Sequence, residues 1–216
     1  MVIFGRLSNC LIVTPMTKKI KIHINDLTEE WVTKLKEEYE NATLAIEVYG
    51  EKDQKVMNEE AFWTIIDMLD WEKGTDKQAI LAPALKELQY YSIKSIYRFQ
   101  DILANKLFQL DQQEIAENMG ENKYRENHHF SVDTFLYARA AVVANGEAFF
   151  KKVLREPSNM LKEFTFEALL YLAADVYQQK TGAPWDYLPS PSYETYSNRE
   201  GWNGKSWMDS ILNVHL

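Results

Sequence analysis

A single cysteine, Cys10, rules out an intrachain disulfide and leaves no partner for a CxxC zinc pair. So sparing a use of cysteine fits a reducing compartment, and a cytoplasmic location is expected. Glycine and proline are scarce, at eight and six in 216 residues. A β-sandwich or barrel needs far more frequent turn punctuation, so helices are favoured. No apolar run approaches the roughly 20 residues of a membrane span. Met1–Phe4 breaks at Gly5 and Arg6, and Cys10–Val13 stops short of Pro15. The start lacks a basic region followed by a sustained apolar one, so it does not read as a signal peptide. Met16-Thr17-Lys18-Lys19 reads as a natural start, and residues 1–16 are expected to be an extension from a misassigned one. Basic charge is also in deficit: 24 Lys and Arg against 32 Asp and Glu give a net charge of −8. A phosphate-backbone binder carries a basic patch, so no nucleic-acid partner is expected.

What the chain does have is core material. Hydrophobic residues make up 46% and aromatics 13%, too much apolar surface for a disordered segment. Lys19–Ile24 alternates, with Ile20, Ile22 and Ile24 on one face, and Thr43–Tyr49 repeats the pattern through Leu44, Ile46 and Val48. Between them Trp31, Val32, Leu35 and Tyr39 form a helical stripe behind an N-cap at Thr28. This strand–helix–strand unit, residues 17–50, is too small to bury a core alone. It must dock on the rest of the chain or pair through a strand edge with a second copy, so residues 17–49 are a candidate homodimer element. The charged stretch Gly50–Lys55 reads as a linker.

Residues 57–216 read as a helical domain. Asn58 caps a helix whose Phe62, Ile65, Ile66 and Leu69 share one face, with Trp63 and Trp71 flanking as core residues. Pro83 predicts a helix start or kink within Ile80–Leu88. Ser92 caps a third helix through Leu110, continued briefly by Gln112–Met119, and Ser131 caps a fourth, Val132–Ala144. Glu147–Arg155 is a fifth. A sixth starts near Thr165 and ends at Thr181-Gly182. The segment 183–204 carries Pro184, Pro189 and Pro191 with Trp185, Tyr187, Tyr193, Tyr196 and Trp202, and is expected to be an ordered irregular strap over the helices. The fold class is therefore mainly α: a bundle-like core of about six helices with a small N-terminal α/β unit.

Four strings stand out: Phe62-Trp63-x-x-Ile66-Asp67-x-Leu69; Phe135-x-Tyr137-x-Arg139-x-x-Val142-Val143-x-x-Gly146; Glu167-x-Leu169-x-x-x-Ala173; and Ser192-Tyr193-Glu194-Thr195-Tyr196-Ser197-Asn198-x-x-Gly201-Trp202. Together they resemble the bacterial family known as domain of unknown function 4240, over residues 57–202. The resemblance implies a bacterial, cytoplasmic protein and brings no activity and no catalytic residues.

HExxH, GxSxG, Walker A, GxGxxG and EF-hand strings are missing, so no catalytic residue, metal or cofactor is expected. His128 and His129 are adjacent, a poor spacing for shared metal binding, and read as polar loop residues. Arg139 is the residue to single out. It shares a helical stripe with Val132, Leu136 and Val143, and a buried guanidinium needs a carboxylate, carbonyls or a bound anion. Glu167, Glu194 and Asp133 are the candidate carboxylates. Two readings follow. Arg139 is a structural ion pair that ties down the strap, which is the favoured one, or it lies in a ligand site with Glu167, Tyr193, Glu194, Asn198 and Trp202. At the level of function, the first reading gives a non-enzymatic protein-interaction or regulatory module, an immunity-like protein being one version of it. The second gives a small-anion or metabolite-binding protein or enzyme.

Overall fold

The computed structural model describes residues 28–39, 43 and 56–203. The chain divides into two compact units, residues 1–50 and 51–216. In the first, helix α1 spans Glu29–Glu38. Thr28 accepts a hydrogen bond from Trp31 N at its N-terminus, and Glu29 and Glu30 face the positive end of the helix dipole. The two expected strands, 19–24 and 43–49, lie outside the described residues save Thr43, and among the described residues there is no strand. Residues 1–16 lie outside them too.

The described helices of the second unit are α2 (Glu59–Ile66), α3 (Lys77–Leu88), α4 (Ile93–Gln109), α5 (Gln113–Ala116), α6 (Val132–Ala144), α7 (Gly146–Arg155) and α8 (Leu172–Thr181), with short 3-10 turns between several of them. The expected caps hold these helices. Asn58, Ser92 and Ser131 each accept from the backbone N–H three residues on, the geometry that satisfies a helix start. Gly182 closes α8 in the left-handed conformation that glycine reaches most cheaply.

α6 forms the centre. Nine of its thirteen residues are buried, Phe135, Leu136, Ala138, Arg139 and Ala140–Ala144, so it is apolar on nearly every side, as a helix enclosed by others must be. α4, α7 and the 3-10 turn Glu167–Tyr171 pack around it, α8 packs on α3 and α4, and α2 on α3, α4 and α7. No helix among the described residues is long and apolar enough to cross a membrane.

Two local expectations are corrected and one is narrowed. Of the start or kink expected at Pro83, the start is excluded, since α3 begins at Lys77, capped by Asp76, and carries Pro83 inside it. The sixth helix does not start near Thr165. Phe166 N donates to Tyr137 O, holding the backbone against α6, and a 3-10 turn intervenes before α8 begins at Leu172. Trp63 is buried but Trp71 is not: α2 ends at Ile66, so helical spacing no longer governs residue 71, which is 38% exposed.

Residues 183–203 contain no helix or strand and cross the helices through their aromatic side chains. Tyr187 stacks on Tyr97 of α4, with ring centroids 4.4 Å apart, and its hydroxyl donates to Asp101. Trp185 packs edge-on against Tyr97 and Tyr177. Trp202 is fully buried among Tyr124, Phe130, Phe135 and Tyr196.

Candidate functional site

The six residues singled out from the sequence separate into an internal group and a surface group. Arg139, Asn198 and Trp202 belong to the first, around a residue the sequence reading passed over, Asp111. It lies just beyond the C-terminus of α4 and is fully buried. One carboxylate oxygen, Oδ1, accepts from Tyr196 N at 3.2 Å and from Trp202 Nε1 at 2.8 Å; the other, Oδ2, accepts from Asn198 N at 3.0 Å. Three N–H donors from one strap thus converge on one carboxylate.

Arg139, also fully buried, stands across from it. Nη1 lies 3.9 Å from Asp111 Oδ1, an ion pair through space and too long for a hydrogen bond. Nη1 donates to Leu107 O at 2.8 Å, and Nη2 to Thr195 Oγ1 at 3.0 Å. Thr195 in turn donates its hydroxyl proton to Val132 O. Leu107 O is among the last carbonyls of α4, where helical donors run out and partial negative charge collects. Asn198 serves the same helix end, donating Nδ2–H to Phe108 O. The guanidinium carbon sits 4.7 Å from the Phe135 ring centroid. Burial pulls the guanidinium down to about 10, opposed by the negative charges of Asp111 and Glu194, so it stays charged at neutral pH.

Of the carboxylates offered by the sequence, none contacts Arg139. Glu194 acts on it only through space, and Glu167 faces elsewhere. The signal that points to Asp111 is its position. A carboxylate at a helix C-terminus opposes the dipole, so a buried one there needs donors from another part of the chain. Gly201 fits the same arrangement: a Cβ on it would stand 2.7 Å from Asp111 O and 3.0 Å from Asn198 Nδ2.

Glu167, Tyr193 and Glu194 lie on the outer group. Glu167 accepts from the Tyr171 hydroxyl at 3.3 Å. Burial, and then the Glu167 and Asp133 carboxylates, push the Tyr137 phenol up. Burial, Glu194 and Tyr171 do the same to Tyr193. These phenols therefore stay neutral and able to donate. Beside Tyr137 a cavity of about 280 Å³ opens between α6 and residues 163–165, lined in part by Ala138, Glu163 and Phe164. Phe164 packs on Trp71, with centroids 6.1 Å apart. These residues form a linked series: Trp71 packs on Phe164, Phe164 and Tyr137 line one cavity, Glu167 acts on Tyr137 and accepts from Tyr171, and Tyr171 lies within electrostatic reach of Tyr193. Along it Trp71, Phe164 and Tyr171 are 38%, 42% and 52% exposed.

His128 and His129 are exposed. Among the described residues no three His, Cys, Asp or Glu side chains are grouped to hold a metal ion.

A model of the family described as protein of unknown function (DUF4240) matches residues 57–179, more than half of the chain, and the chain belongs to that family. No curated protein and no solved structure matches it.

Proposed function

We propose that this DUF4240 family member is a non-enzymatic protein-interaction module, that the aromatic and acidic band from Trp71 to Tyr193 is its contact face, and that its partner presents a basic segment. The observation that carries this reading is the exposure of Trp71, Phe164 and Tyr171 in one band flanked by Asp133, Glu163, Glu167 and Glu194. Tyr and Trp supply much of the energy at protein interfaces, because they bury large area at small entropic cost. The acidic rim and the net charge of −8 favour encounter with a basic partner. The internal geometry weighs the same way. A small-anion site needs Arg139 to offer its donors to a ligand, whereas Nη1 and Nη2 already donate to Leu107 O and Thr195 Oγ1 within the protein, and only the buried Nε has no partner. The candidate homodimer element, residues 17–49, lies largely outside the described residues and is not needed for this reading.

Photo-crosslinking tests it. A crosslinking side chain is placed at Tyr171 of the full chain in host cells, and at exposed Leu188 in the strap as control. The protein captured from Tyr171 is then purified and its affinity measured by interferometry. The expected result is a partner with a basic segment, captured from Tyr171 and not from Leu188, whose binding weakens roughly tenfold or more on Phe164→Ala or Glu167→Lys. Identical adducts from both positions, or variants that bind like wild type, would overturn the proposal.

A further inference from the structure

Resting on the interaction reading, we infer that the cavity between α6 and residues 163–165 is the specificity pocket of the contact face, and that it takes the guanidinium of an arginine side chain from the partner. Size is the first constraint. At about 280 Å³ the cavity stands at the lower end of the roughly 300–1,000 Å³ of ordinary small-molecule sites, a size that suits one long side chain.

Charge is the second. Glu163 is the one charged residue on the lining, and its carboxylate makes no hydrogen bond or ion pair with any described residue. Lys162, next to it in sequence, is exposed and forms no ion pair with it. Asp133 and Glu167 lie within electrostatic reach of Tyr137, on the same lining. The only formal charge on the lining is thus negative, which favours a cation over an anion there.

Shape and chemistry choose among cations. Tyr137 and Phe164 both line the cavity, and planar guanidinium stacks on aromatic faces as a compact ammonium does not. Guanidinium is also the more weakly hydrated of the two and meets a carboxylate with two parallel N–H donors. The remaining polar lining, Asn122, Thr134 and Thr165, supplies uncharged oxygen acceptors for the other N–H groups. A neutral apolar side chain would fill the space and leave these acceptors and Glu163 facing it without donors.

The test uses the full chain and small probes. Nitrogen-15 NMR follows titration with N-acetyl-arginine methylamide, and with the corresponding citrulline amide, a neutral side chain of nearly the same shape. The expected result is saturable shifts at Met119, Ala138 and Phe164, with the arginine amide bound roughly tenfold more tightly than the citrulline amide. Glu163→Gln, a near-isosteric change at an exposed position, is expected to abolish that preference while leaving the rest of the spectrum in place. Equal affinity for the two amides, or a preference that survives Glu163→Gln, would overturn the inference. Should the arginine amide fail while a basic partner still crosslinks at Tyr171, the pocket assignment falls and the interaction reading stands. Should the amide bind while Tyr171 captures nothing, the interaction reading falls, and the partner clause of this inference with it.

Discussion

Replacing Asp111 with asparagine removes one charge and turns one end of the side chain from acceptor to donor, with almost no change in shape. In the native protein both oxygens accept, Oδ1 from Tyr196 N and Trp202 Nε1 and Oδ2 from Asn198 N. An amide satisfies one of these ends only, so its NH2 group confronts at least one strap donor. A lost hydrogen bond to a charged group is worth about 1.5–3 kcal/mol. Arg139 meanwhile keeps its charge at full burial with no carboxylate beside it, and breaking a buried pair from one side costs about 3–5 kcal/mol. The two effects share atoms and do not add, so the expected loss is about 3–5 kcal/mol in urea unfolding. For a unit of this size that lowers Tm on the order of 10 °C. Chymotrypsin should also cut sooner around Trp185, Tyr193 and Tyr196. Arg139→Ala strands the carboxylate instead and falls in the same range, about 3–5 kcal/mol. In an Arg139→Met background Asp111→Asn should cost less than it does in wild type, which is the coupling a double-mutant cycle reads. A Tm shift below roughly 2 °C for Asp111→Asn, with proteolysis unchanged, would refute the view that this carboxylate holds the strap.

Gly201→Ala drives a Cβ into Asp111 O and Asn198 Nδ2, and overpacking of this kind costs about 1–3 kcal/mol, read as a lowered urea midpoint with faster strap cleavage. Lys106 is buried against Trp63 and Phe150 and paired with the exposed Glu59; Lys106→Met should be neutral or stabilising in thermal unfolding, whereas Glu59→Gln, which leaves the ammonium alone, should be destabilising. The Lys106 hydrogen bond holds the Glu59 carboxyl below its ordinary value of 4.5, so the pair's contribution is present above that pH and is lost as pH falls through the folded value. Acid titration of stability should therefore be shallower in Lys106→Met than in wild type. Leu69→Ala, at 6% exposure in the core, should cost about 2–5 kcal/mol by urea denaturation.

The helices of the second unit were legible because their signals are local. Asn58, Ser92 and Ser131 each stand one residue before a helix, and Phe62, Ile65 and Ile66 fall on one face by spacing alone. Trp71 was misplaced because a stripe can be extrapolated only as far as the helix continues, and nothing in the composition marks its end at Ile66. The burial of Arg139 could be read from its apolar neighbours, but its partner could not. Asp111 is joined to Trp202 across 91 residues, and no periodicity spans such a distance. Glu167 and Glu194 were plausible only because they lay in recognisable strings. The contact band was invisible for the same reason. Trp71, Phe164 and Tyr171 look like core residues one at a time, and only folding shows that they stand together on the outside.

The clasp on Asp111 also sets an order of events in biosynthesis. At about 5–20 residues per second, a chain 91 residues longer takes on the order of 5–20 s to produce Trp202 after Asp111 has been made. In the later part of that interval, once α6 has also been made, an acid and a guanidinium have no strap to close over them. Sealing them away from water early would be costly, so the nascent helices are expected to stay solvated there until the strap arrives. A chain interrupted before Thr195 lacks the strap donors to Asp111 and is expected to stay open to proteases.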